Sequence, residues 1–197
     1  MRVCALVPVK PLLQVKTRLS ACLEPQARAS LMADSLQRLA YVLRDAAVAD
    51  QIAVISRDPD VLAWAQQSGL VALREHGNDL NAALRQGRRR LRAAEALLVL
   101  AADLLAVQPN DLRTMVQLAR ECASRCVVLA PDRRGSGTNA LLLKPPSVID
   151  FAFGEDSARR HAAQAMAKRV PVHWYHSETI GLDIDWPEDL YFYAAQW

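Results

Sequence analysis

The sequence has few cysteines, and they do not form a recognisable metal-binding pattern. Its 197 residues contain four, Cys4, Cys22, Cys122 and Cys126, and none belongs to a C-x-x-C pair. A zinc site would need further ligands nearby, and the pattern does not supply them. Cys122 and Cys126 are four residues apart, as two positions on one helix face would be. We predict buried, free thiols in a reducing compartment.

Long apolar runs and a strong charge of one sign are also missing. The first apolar run stops at Pro8, whereas a signal peptide needs a longer stretch and a spanning helix needs about 20 apolar residues. We therefore predict a cytoplasmic protein without a membrane partner. The formal net charge of +3 is small for a nucleic-acid-binding domain, so no nucleic-acid partner is expected.

Several motifs of well-known enzyme classes are absent. The sequence has no G-x-x-x-x-G-K-[ST], which excludes a P-loop NTPase, and no spacing typical of a Ser-His-Asp or Cys-His nucleophile. His173 and His176 lie three apart on a predicted strand, hence on opposite faces, which argues against a shared metal. The arginine-rich run from Gly87 to Arg92 is predicted to be a solvated helix face. Without repeats, low-complexity segments or linkers, residues 1–197 are predicted to form one domain.

Apolar and amphipathic segments alternate along the chain, and 52% of the residues are hydrophobic. This alternation predicts the α/β class: one domain with a mostly parallel mixed sheet and helices on both faces. Ligands of such sheets bind beyond the carboxyl ends of the strands. The predicted strands are 3–7, 52–55, 70–73, 96–100, 127–129, 139–143 and 170–174. The predicted helices are 25–44, 58–67, 80–91, 109–121, 156–168 and one opening at Pro187.

Three cations follow the first predicted strand. Pro8, Val9 and Lys10 begin the loop that leaves that strand, and Lys16 and Arg18 come shortly after them. A triphosphate requires such a cluster, because lysine and arginine neutralise its negative oxygens. A solvated basic loop is the alternative, and the position beyond a strand end favours phosphate binding.

An amide-rich loop follows the third predicted strand. Gly77 allows a tight turn and a close approach of the backbone to a ligand, while Asn78 or Asp79 can cap the next helix. A plain helix cap is one interpretation of this loop. In the other, Gly77, Asn78 and Asn81 contribute to nucleotide binding, with amide donors and acceptors for the edge of a base.

Three aspartates are predicted to meet at the same edge of the sheet. Asp103 follows a buried strand, where a carboxylate can hold Mg²⁺ against phosphate oxygens. Asp183 and Asp185 lie two apart and project to one face of an extended segment. Asp185 could instead cap the helix that Pro187 opens. Because converging carboxylates repel one another, their convergence would require a cation between them.

Two further segments offer sites for an anion. The segment Pro131 to Asn139, which includes Asp132, has two glycines and two hydroxyl groups after a strand, a composition that can form an anion-binding nest. The segment Phe153 to Ser157 precedes a predicted helix, whose free N–H groups can bind phosphate. A glycine turn with a helix cap is the alternative for the second segment.

Taken together, these segments resemble the 2-phospho-L-lactate guanylyltransferase family of deazaflavin coenzyme F-420 biosynthesis. The resemblance covers nearly the whole chain and rests on five pieces in order. They are Val7 to Pro11 with Lys16 to Leu19, Leu80 to Leu84, Gly135 to Leu143, Phe151 to Gly154 with Ser157, and Leu182 to Leu190.

The resemblance implies a GT-A-like nucleotidyltransferase fold that uses GTP and Mg²⁺. It implies that the metal ligands are Asp103, Asp183 and Asp185, and that the acceptor is held by Thr138, Gly154 and Ser157. We expect Asp103 to contact the nucleotide as well. The expected catalytic residues are Lys10, Lys16 and Arg18. Expected partners are a phosphorylated three-carbon acid, a second copy of the chain as a homodimer, and the next enzyme of the pathway.

One departure from the family pattern leaves the acceptor open. Leu104, Leu105 and Ala106 stand where the family usually has Leu-Pro after the aspartate, in a loop expected to border the acceptor site. The acceptor is therefore 2-phospho-L-lactate, phosphoenolpyruvate or 3-phospho-D-glycerate. Two alternatives remain: another nucleotidyltransferase of this fold, such as a cytidylyltransferase or a molybdenum-cofactor guanylyltransferase, and a non-catalytic nucleotide-binding regulator.

Overall fold

The computed structural model describes residues 1–12, 16–77 and 79–196. Seven strands form one sheet in the order β3-β2-β1-β4-β6-β5-β7. The strand β6 runs antiparallel to its neighbours β4 and β5, and the other adjacent pairs are parallel. This confirms the predicted mostly parallel mixed sheet. The strands are β1 Val3–Val9, β2 Gln51–Ser56, β3 Val71–Arg74, β4 Ala96–Leu100, β5 Cys126–Pro131, β6 Thr138–Lys144 and β7 Val172–Trp174.

The helices begin where the sequence provides a proline or a cap. Proline occupies the first turn of α1, α2 and α4, where its missing N–H has no intrahelical partner. Asp58 caps α2 and Asp79 caps α3 through their side chains. The single-turn helix α6 and a 3₁₀ turn at Thr17–Leu19 were not predicted, since one turn has no readable period. The helices are α1 Pro25–Ala46, α2 Pro59–Gln67, α3 Leu80–Arg90, α4 Pro109–Glu121, α5 Ser157–Ala167, α6 Glu178–Gly181 and α7 Pro187–Gln196.

Both faces of the sheet are covered, which explains why its central strands are apolar throughout. In β1, Val3, Ala5 and Val7 belong to one hydrophobic cluster, while Cys4 and Leu6 belong to another. Residues from α1 and α4 complete the first cluster, and residues from α3 and α5 complete the second. Alternate side chains of a strand point to opposite faces, so a strand buried on both faces has no polar alternation.

The arginine-rich run on α3 is not simply solvated, contrary to the prediction. Gly87 packs directly on β1, since an added Cβ there would lie 2.6 Å from Leu6 Cδ2. Arg88 is half-buried: it donates hydrogen bonds to the Ile149 carbonyl at 3.3 Å and to Asp150 at 3.2 Å. This arginine therefore ties α3 to the segment that precedes α5.

The cysteine predictions were only partly correct. All four cysteines are free, and Cys4 and Cys126 are buried, but Cys22 is exposed and Cys122 is half-buried. Cys122 ends α4 and Cys126 begins β5, so the two do not share a helix. Among the described residues, no helix is long and apolar enough to cross a membrane.

Candidate active site

The carboxyl ends of β1 and β4 open into two adjoining cavities. The first has a volume of about 620 Å³ and is lined by the end of β1, the basic loop and the start of α3. The second is lined by the loop between β5 and β6 and by the start of α5. Asp103 and Asp185 line both cavities. This is the sheet edge at which ligands bind in open α/β folds.

Three carboxylates meet where the two cavities join. One oxygen from each of Asp103, Asp183 and Asp185 lies within 4.8 Å of the others. Asp103 follows β4, whereas the other two lie between α6 and α7. The Asn139 amide of β6 fixes that segment by donating to the Gly181 carbonyl at 3.1 Å and to Asp183 Oδ1 at 3.4 Å. The predicted convergence of the three aspartates is therefore present.

The carboxylates perturb one another and the lysine beside them. Burial, followed by the charges of Asp103 and Asp185, raises the pKa of Asp183 to about 6. Burial would lower the pKa of Lys16, but the charges and hydrogen bonds of Asp103 and Asp185 outweigh it and raise this pKa. Lys16 Nζ contacts Asp103 and lies 3.0 Å from Asp185 Oδ1. Its ammonium group partly balances the acidic cluster.

The three carboxylates fit a magnesium ion in their donor chemistry. Mg²⁺ prefers oxygen ligands and is commonly held by one or two carboxylates together with phosphate oxygens. Burial first, and then the neighbouring charges of Asp103 and Asp185, disfavour the ionised form of Asp183 and raise its pKa. A divalent cation bound between the carboxylates would favour the ionised form.

The three predicted catalytic cations occupy different environments. Lys16 adopts a left-handed backbone conformation with φ 53°, and its side chain is only 6% exposed. Arg18 is exposed, lies 3.2 Å from Asp185 Oδ2 and stacks 4.8 Å from the Trp186 ring. Lys10 is exposed, lines both cavities and makes no ion pair with any described residue. Lys10 is thus the cation most available to an incoming anion.

Asp185 does not cap α7, which was its alternative interpretation. Asp189 accepts from the backbone N–H of Asp185 at 3.0 Å and of Trp186 at 2.8 Å. A carboxylate in the first turn of α7 thereby satisfies donors at its start. Asp185 is left to face Lys16 and Arg18.

The predicted nucleotide-binding residues are not all equally placed. Pro8 and Val9 line the first cavity with Lys10. Gly77 does not have a positive φ, so its backbone conformation does not itself require glycine, and the space beside its Cα is open. Asn78 lies outside the described residues.

Asn81 is already engaged by the chain itself. Its Nδ2 donates to the Phe153 carbonyl at 3.1 Å, and its Oδ1 accepts from the Phe153 N–H at 2.8 Å. Each half of the amide thus makes one hydrogen bond within the chain, and a contact of this side chain with a base stays a prediction. Asn81 instead ties the start of α3 to the turn before α5.

The predicted acceptor-binding residues lie together in the second cavity. Ser157 Oγ donates to Thr138 Oγ1 at 3.0 Å, and both side chains are buried at the cavity wall. Gly154 has φ 120°, a conformation that favours glycine, and so permits the turn leading into α5. The structure thus joins a residue of β6 to the start of α5.

His161 completes this hydroxyl pair and was missed from the sequence. Its Nε2 accepts from the Ala152 N–H at 2.9 Å, which leaves the ring proton on Nδ1, 3.2 Å from Thr138 Oγ1. Burial, then the nearby Arg160 charge, lowers the pKa of His161 to about 4. The i, i+4 spacing from Ser157 on a predicted helix could have indicated that the two share a face.

The expected anion nest is largely filled by the chain itself. Asp132 Oδ1 accepts from the Ser136 N–H at 2.8 Å, and the Asp132 carbonyl accepts from Gly135 at 2.9 Å. The first N–H groups of α5 are also used: Ser157 donates to Gly154, and Ala158 donates to the Ser136 carbonyl at 3.1 Å. These four backbone N–H groups are therefore engaged within the chain, and anion binding by this loop stays a prediction.

The segment after Asp103, which differs from the family pattern, does not line the second cavity. Leu104, Leu105 and Ala106 are buried, and the last two pack in one hydrophobic cluster with Leu182 and Ile184. The expectation that they shape the acceptor site is therefore wrong. Leu105 and Ala106 instead pack against the segment that carries Asp183 and Asp185.

Two arginines on the second cavity wall were also overlooked. Arg133 forms an ion pair with Asp189 at 2.9 Å and lies 4.5 Å from the Phe192 ring. Arg134 is half-exposed and stacks 5.4 Å from Trp186. Together with Arg18 they add positive charge to a cavity wall that also carries the aspartate cluster.

Comparisons with known proteins give the family of this chain. The family model described as guanylyl transferase CofC like matches residues 3–193. A phosphoenolpyruvate guanylyltransferase of Rubrobacter xylanophilus is 43% identical over 96% of this chain and 92% of the relative. A 2-phospho-L-lactate guanylyltransferase of Methanothermobacter thermautotrophicus is 34% identical over 96% of this chain and 83% of the relative.

Solved structures share the fold at low sequence identity. A nucleotidyl transferase of Methanothermobacter thermautotrophicus superposes with a TM-score of 0.70 at 15% identity, covering 98% of this chain and 95% of the other. The CMP:2-keto-3-deoxy-manno-octonic acid synthetase gives 0.68 at 12% identity, covering 99% and 98%. The chain is therefore a nucleotidyltransferase and belongs to the family of CofC-like guanylyl transferases.

Proposed function

We propose that this chain transfers GMP from GTP to a small phosphorylated three-carbon acid, with release of pyrophosphate, in coenzyme F-420 biosynthesis. The acceptor is 2-phospho-L-lactate, phosphoenolpyruvate or 3-phospho-D-glycerate. One observation carries the proposal: the carboxylate cluster lies between a cavity with a basic loop and a cavity with paired hydroxyl groups. Relatives named after two of these three acceptors support it.

The reaction requires no nucleophile from the protein. An acceptor phosphate oxygen forms a bond to the α-phosphorus of GTP, and the bond from that phosphorus to the oxygen bridging to the β-phosphorus breaks. The electron pair leaves with pyrophosphate. Since the second pKa of a phosphomonoester is about 6, the acceptor is largely dianionic at neutral pH and needs no general base. The protein has to hold two anions in line.

The acidic cluster and the basic loop have different electrostatic roles in this proposal. Asp103, Asp183 and Asp185 would hold Mg²⁺, which when bound neutralises charge on the phosphate oxygens. Lys10 is free to bind the triphosphate. Lys16 extends the positive charge to the junction of the cavities, and we assign Arg18 the same role at the mouth.

The hydroxyl pair in the second cavity suits an acidic acceptor. His161 Nδ1–H donates to Thr138 Oγ1, and Ser157 Oγ donates to the same oxygen. Because that oxygen already accepts two hydrogen bonds, the proton of Thr138 is available to a ligand oxygen. We therefore propose that Thr138 donates to the acceptor and that Ser157 and His161 orient it.

Pyrophosphate release with a panel of substrates tests the reaction. We expect turnover with GTP and at least one of the three acids, and little turnover with CTP or ATP. Side-by-side assays at equal acid concentration identify the acceptor. Preference for CTP would favour the cytidylyltransferase alternative, and nucleotide binding without any transfer would favour the regulator.

Two conservative variants test which cavity holds the acceptor. We expect Thr138→Val to raise the acceptor KM or to lower kcat about tenfold, since it removes a hydroxyl donor while keeping the shape. Ser157→Ala should act in the same direction, and the KM for GTP should change little in both. Loss of GTP affinity with a normal acceptor KM would show that the two cavities are assigned the wrong way round.

A further inference from the structure

The first cavity has a second charged end, away from the aspartate cluster. Its wall there contains Arg57, directly after β2, and Glu75, directly after β3. The strand order β3-β2-β1-β4 puts Glu75 and Asp103 three strands apart. With about 4.8 Å between neighbouring strands, that is roughly 14 Å. A nucleotide whose phosphates lie near Asp103 can therefore extend its base towards Glu75.

Glu75 is held in place as a sheltered carboxylate. Its backbone N–H donates to the Ser56 carbonyl at 2.9 Å, which fixes it to the end of β2. Its side chain is only 11% exposed, and its Oε2 lies 3.8 Å from Arg57 Nε. That distance is a charge contact beyond hydrogen-bond range. The Glu75 carboxylate accepts no hydrogen bond from any described residue.

The surroundings of Glu75 favour a ligand that brings hydrogen-bond donors. Burial raises the pKa of Glu75, the charge of Arg57 opposes the shift, and Asp79 adds to it. Leu80 and Ala83 line the same cavity and offer an apolar surface to a flat ring. A sheltered carboxylate beside an apolar surface gains most from neutral N–H groups, because they satisfy its oxygens without adding an unbalanced charge.

Guanine presents the matching pattern of donors. Its N1–H and 2-amino groups are adjacent and can donate to the two oxygens of one carboxylate. Adenine and cytosine place an acceptor nitrogen at the corresponding edge, which a carboxylate repels. On the other edge of guanine, O6 and N7 accept from arginine.

We propose that Glu75 reads the guanine of the nucleotide donor by accepting hydrogen bonds from N1–H and the 2-amino group, with Arg57 beside it. This inference rests on GTP as the donor in the proposed function. It places base recognition after β3 and β2, and so replaces the expected role of Asn81, whose amide is occupied by Phe153.

Calorimetric binding of three nucleotides, with Mg²⁺ present, tests the inference independently of turnover. ITP lacks the 2-amino group, and XTP has a 2-oxo group in its place. Wild-type protein should bind GTP at least tenfold more tightly than ITP. In Glu75→Gln this preference should fall to within about twofold. XTP affinity should rise at least tenfold, because the glutamine amide donates to the 2-oxo group while its oxygen accepts from N1–H.

Controls separate a reading role from a structural one. Glu95→Gln removes a 65% exposed carboxylate just before β4, at the amino ends of the strands and away from the candidate site. This variant should keep the wild-type preference for GTP over ITP. If Glu75→Gln does not fold, Glu75→Asp keeps the charge but withdraws it by one methylene, and it must also lose the GTP preference. Thermal unfolding verifies each variant.

The outcomes also distinguish this inference from the proposed function. Equal wild-type affinity for GTP and ITP, or an unchanged preference in Glu75→Gln, would overturn the role of Glu75. Wild-type protein that binds GTP selectively through Glu75 but transfers GMP to none of the three acids would overturn the proposed reaction and leave the guanine site standing.

Discussion

At the residue scale, Asp183 combines a binding role with an electrostatic penalty. Its pKa of about 6 lies above the ordinary value of about 3.9 because it is buried between two other carboxylates. A raised carboxyl pKa favours the folded state below pH 3.9, and this contribution disappears as the pH rises through 6. At neutral pH the ionised Asp183 therefore destabilises the metal-free protein.

We predict that Asp183→Asn stabilises the metal-free protein while removing its metal-dependent activity. The expected gain in the free energy of unfolding is about 1–3 kcal/mol at pH 7.5, because the substitution removes a repelled charge and keeps a similar shape. Below pH 4 the gain should vanish. Urea unfolding in EDTA at both pH values measures this, and a variant that is less stable than wild type at pH 7.5 would contradict it.

His161 has the opposite dependence on pH. Its pKa of about 4 lies below the ordinary value of about 6.5, so the unfolded state takes up the proton first as the pH falls. The stability that neutral His161 contributes is therefore lost between pH 6.5 and 4. Protonation would also break the hydrogen bond that Nε2 accepts from Ala152.

We predict that the stability difference between wild type and His161→Gln narrows on acidification. Between pH 7 and 4.5 it should shrink by about 2 kcal/mol, because only wild type has this titration. Taking the difference cancels the Asp183 titration, which both proteins share. Urea unfolding across this pH range provides the measurement, and a constant difference would show that His161 is not held neutral.

At the scale of elements, the contact between α3 and β1 determines how closely α3 packs on the sheet beside the candidate active site. Gly87 faces Leu6, whose side chain is fully buried. Gly87→Ala would place a methyl group 2.6 Å from Leu6 Cδ2, so the buried Leu6 side chain or one of the two elements must shift. The start of α3 carries Leu80 and Ala83, which line the first cavity.

We predict that Gly87→Ala destabilises the protein by about 1–2 kcal/mol. Overpacking in a dense core costs up to about 3 kcal/mol, and the gain of about 1 kcal/mol in helix propensity offsets part of that cost. Gly77→Ala is the matched control: no atom lies within 4 Å of its added Cβ, and its φ is not positive. Its stability should stay within about 0.5 kcal/mol of wild type. Equal effects of both variants would contradict this account.

At the scale of the whole molecule, Lys16 joins parts of the chain that are far apart in sequence. Its ammonium group bridges Asp103, after β4, and Asp185, before α7. The segment carrying Asp185 also packs through Leu182 and Ile184 on Leu105. The charge balance of the site and the attachment of the last helix are thus coupled.

We predict that Lys16→Met destabilises the metal-free protein and that Mg²⁺ reverses part of the loss. Removing one partner of a fully buried pair costs about 3–5 kcal/mol, and we expect about 1–3 kcal/mol here because Asp185 is 38% exposed and solvent screens its charge. A cation bound by the same carboxylates restores their balance. Lys10→Met, an exposed lysine of the same loop, should change stability by less than about 1 kcal/mol. Urea unfolding with EDTA and with Mg²⁺ compares the variants. A Lys16→Met protein whose free energy of unfolding is the same with and without Mg²⁺ would contradict the coupling.

The sequence by itself determined the elements and the edge at which the chemistry lies. Apolar runs such as Ala96–Leu100, prolines at helix starts and the Asp58 cap are local signals, and the strands and longer helices follow from them. The position of Asp103 just after a buried strand predicted its place at the carboxyl ends of the strands, whereas the family resemblance supplied its pairing with Asp183.

Only the tertiary structure decided which polar groups remain free for ligands. Asn81 and Asp132 both lie in segments that resemble binding loops. In the structure, however, the Asn81 amide is hydrogen-bonded to Phe153, and the Asp132 carboxylate accepts from the Ser136 N–H of its own loop. His161 and Glu75 gave no comparable signal. The physical reason is that a buried polar group must be paired, and its partner can lie far along the chain, where no local pattern records it.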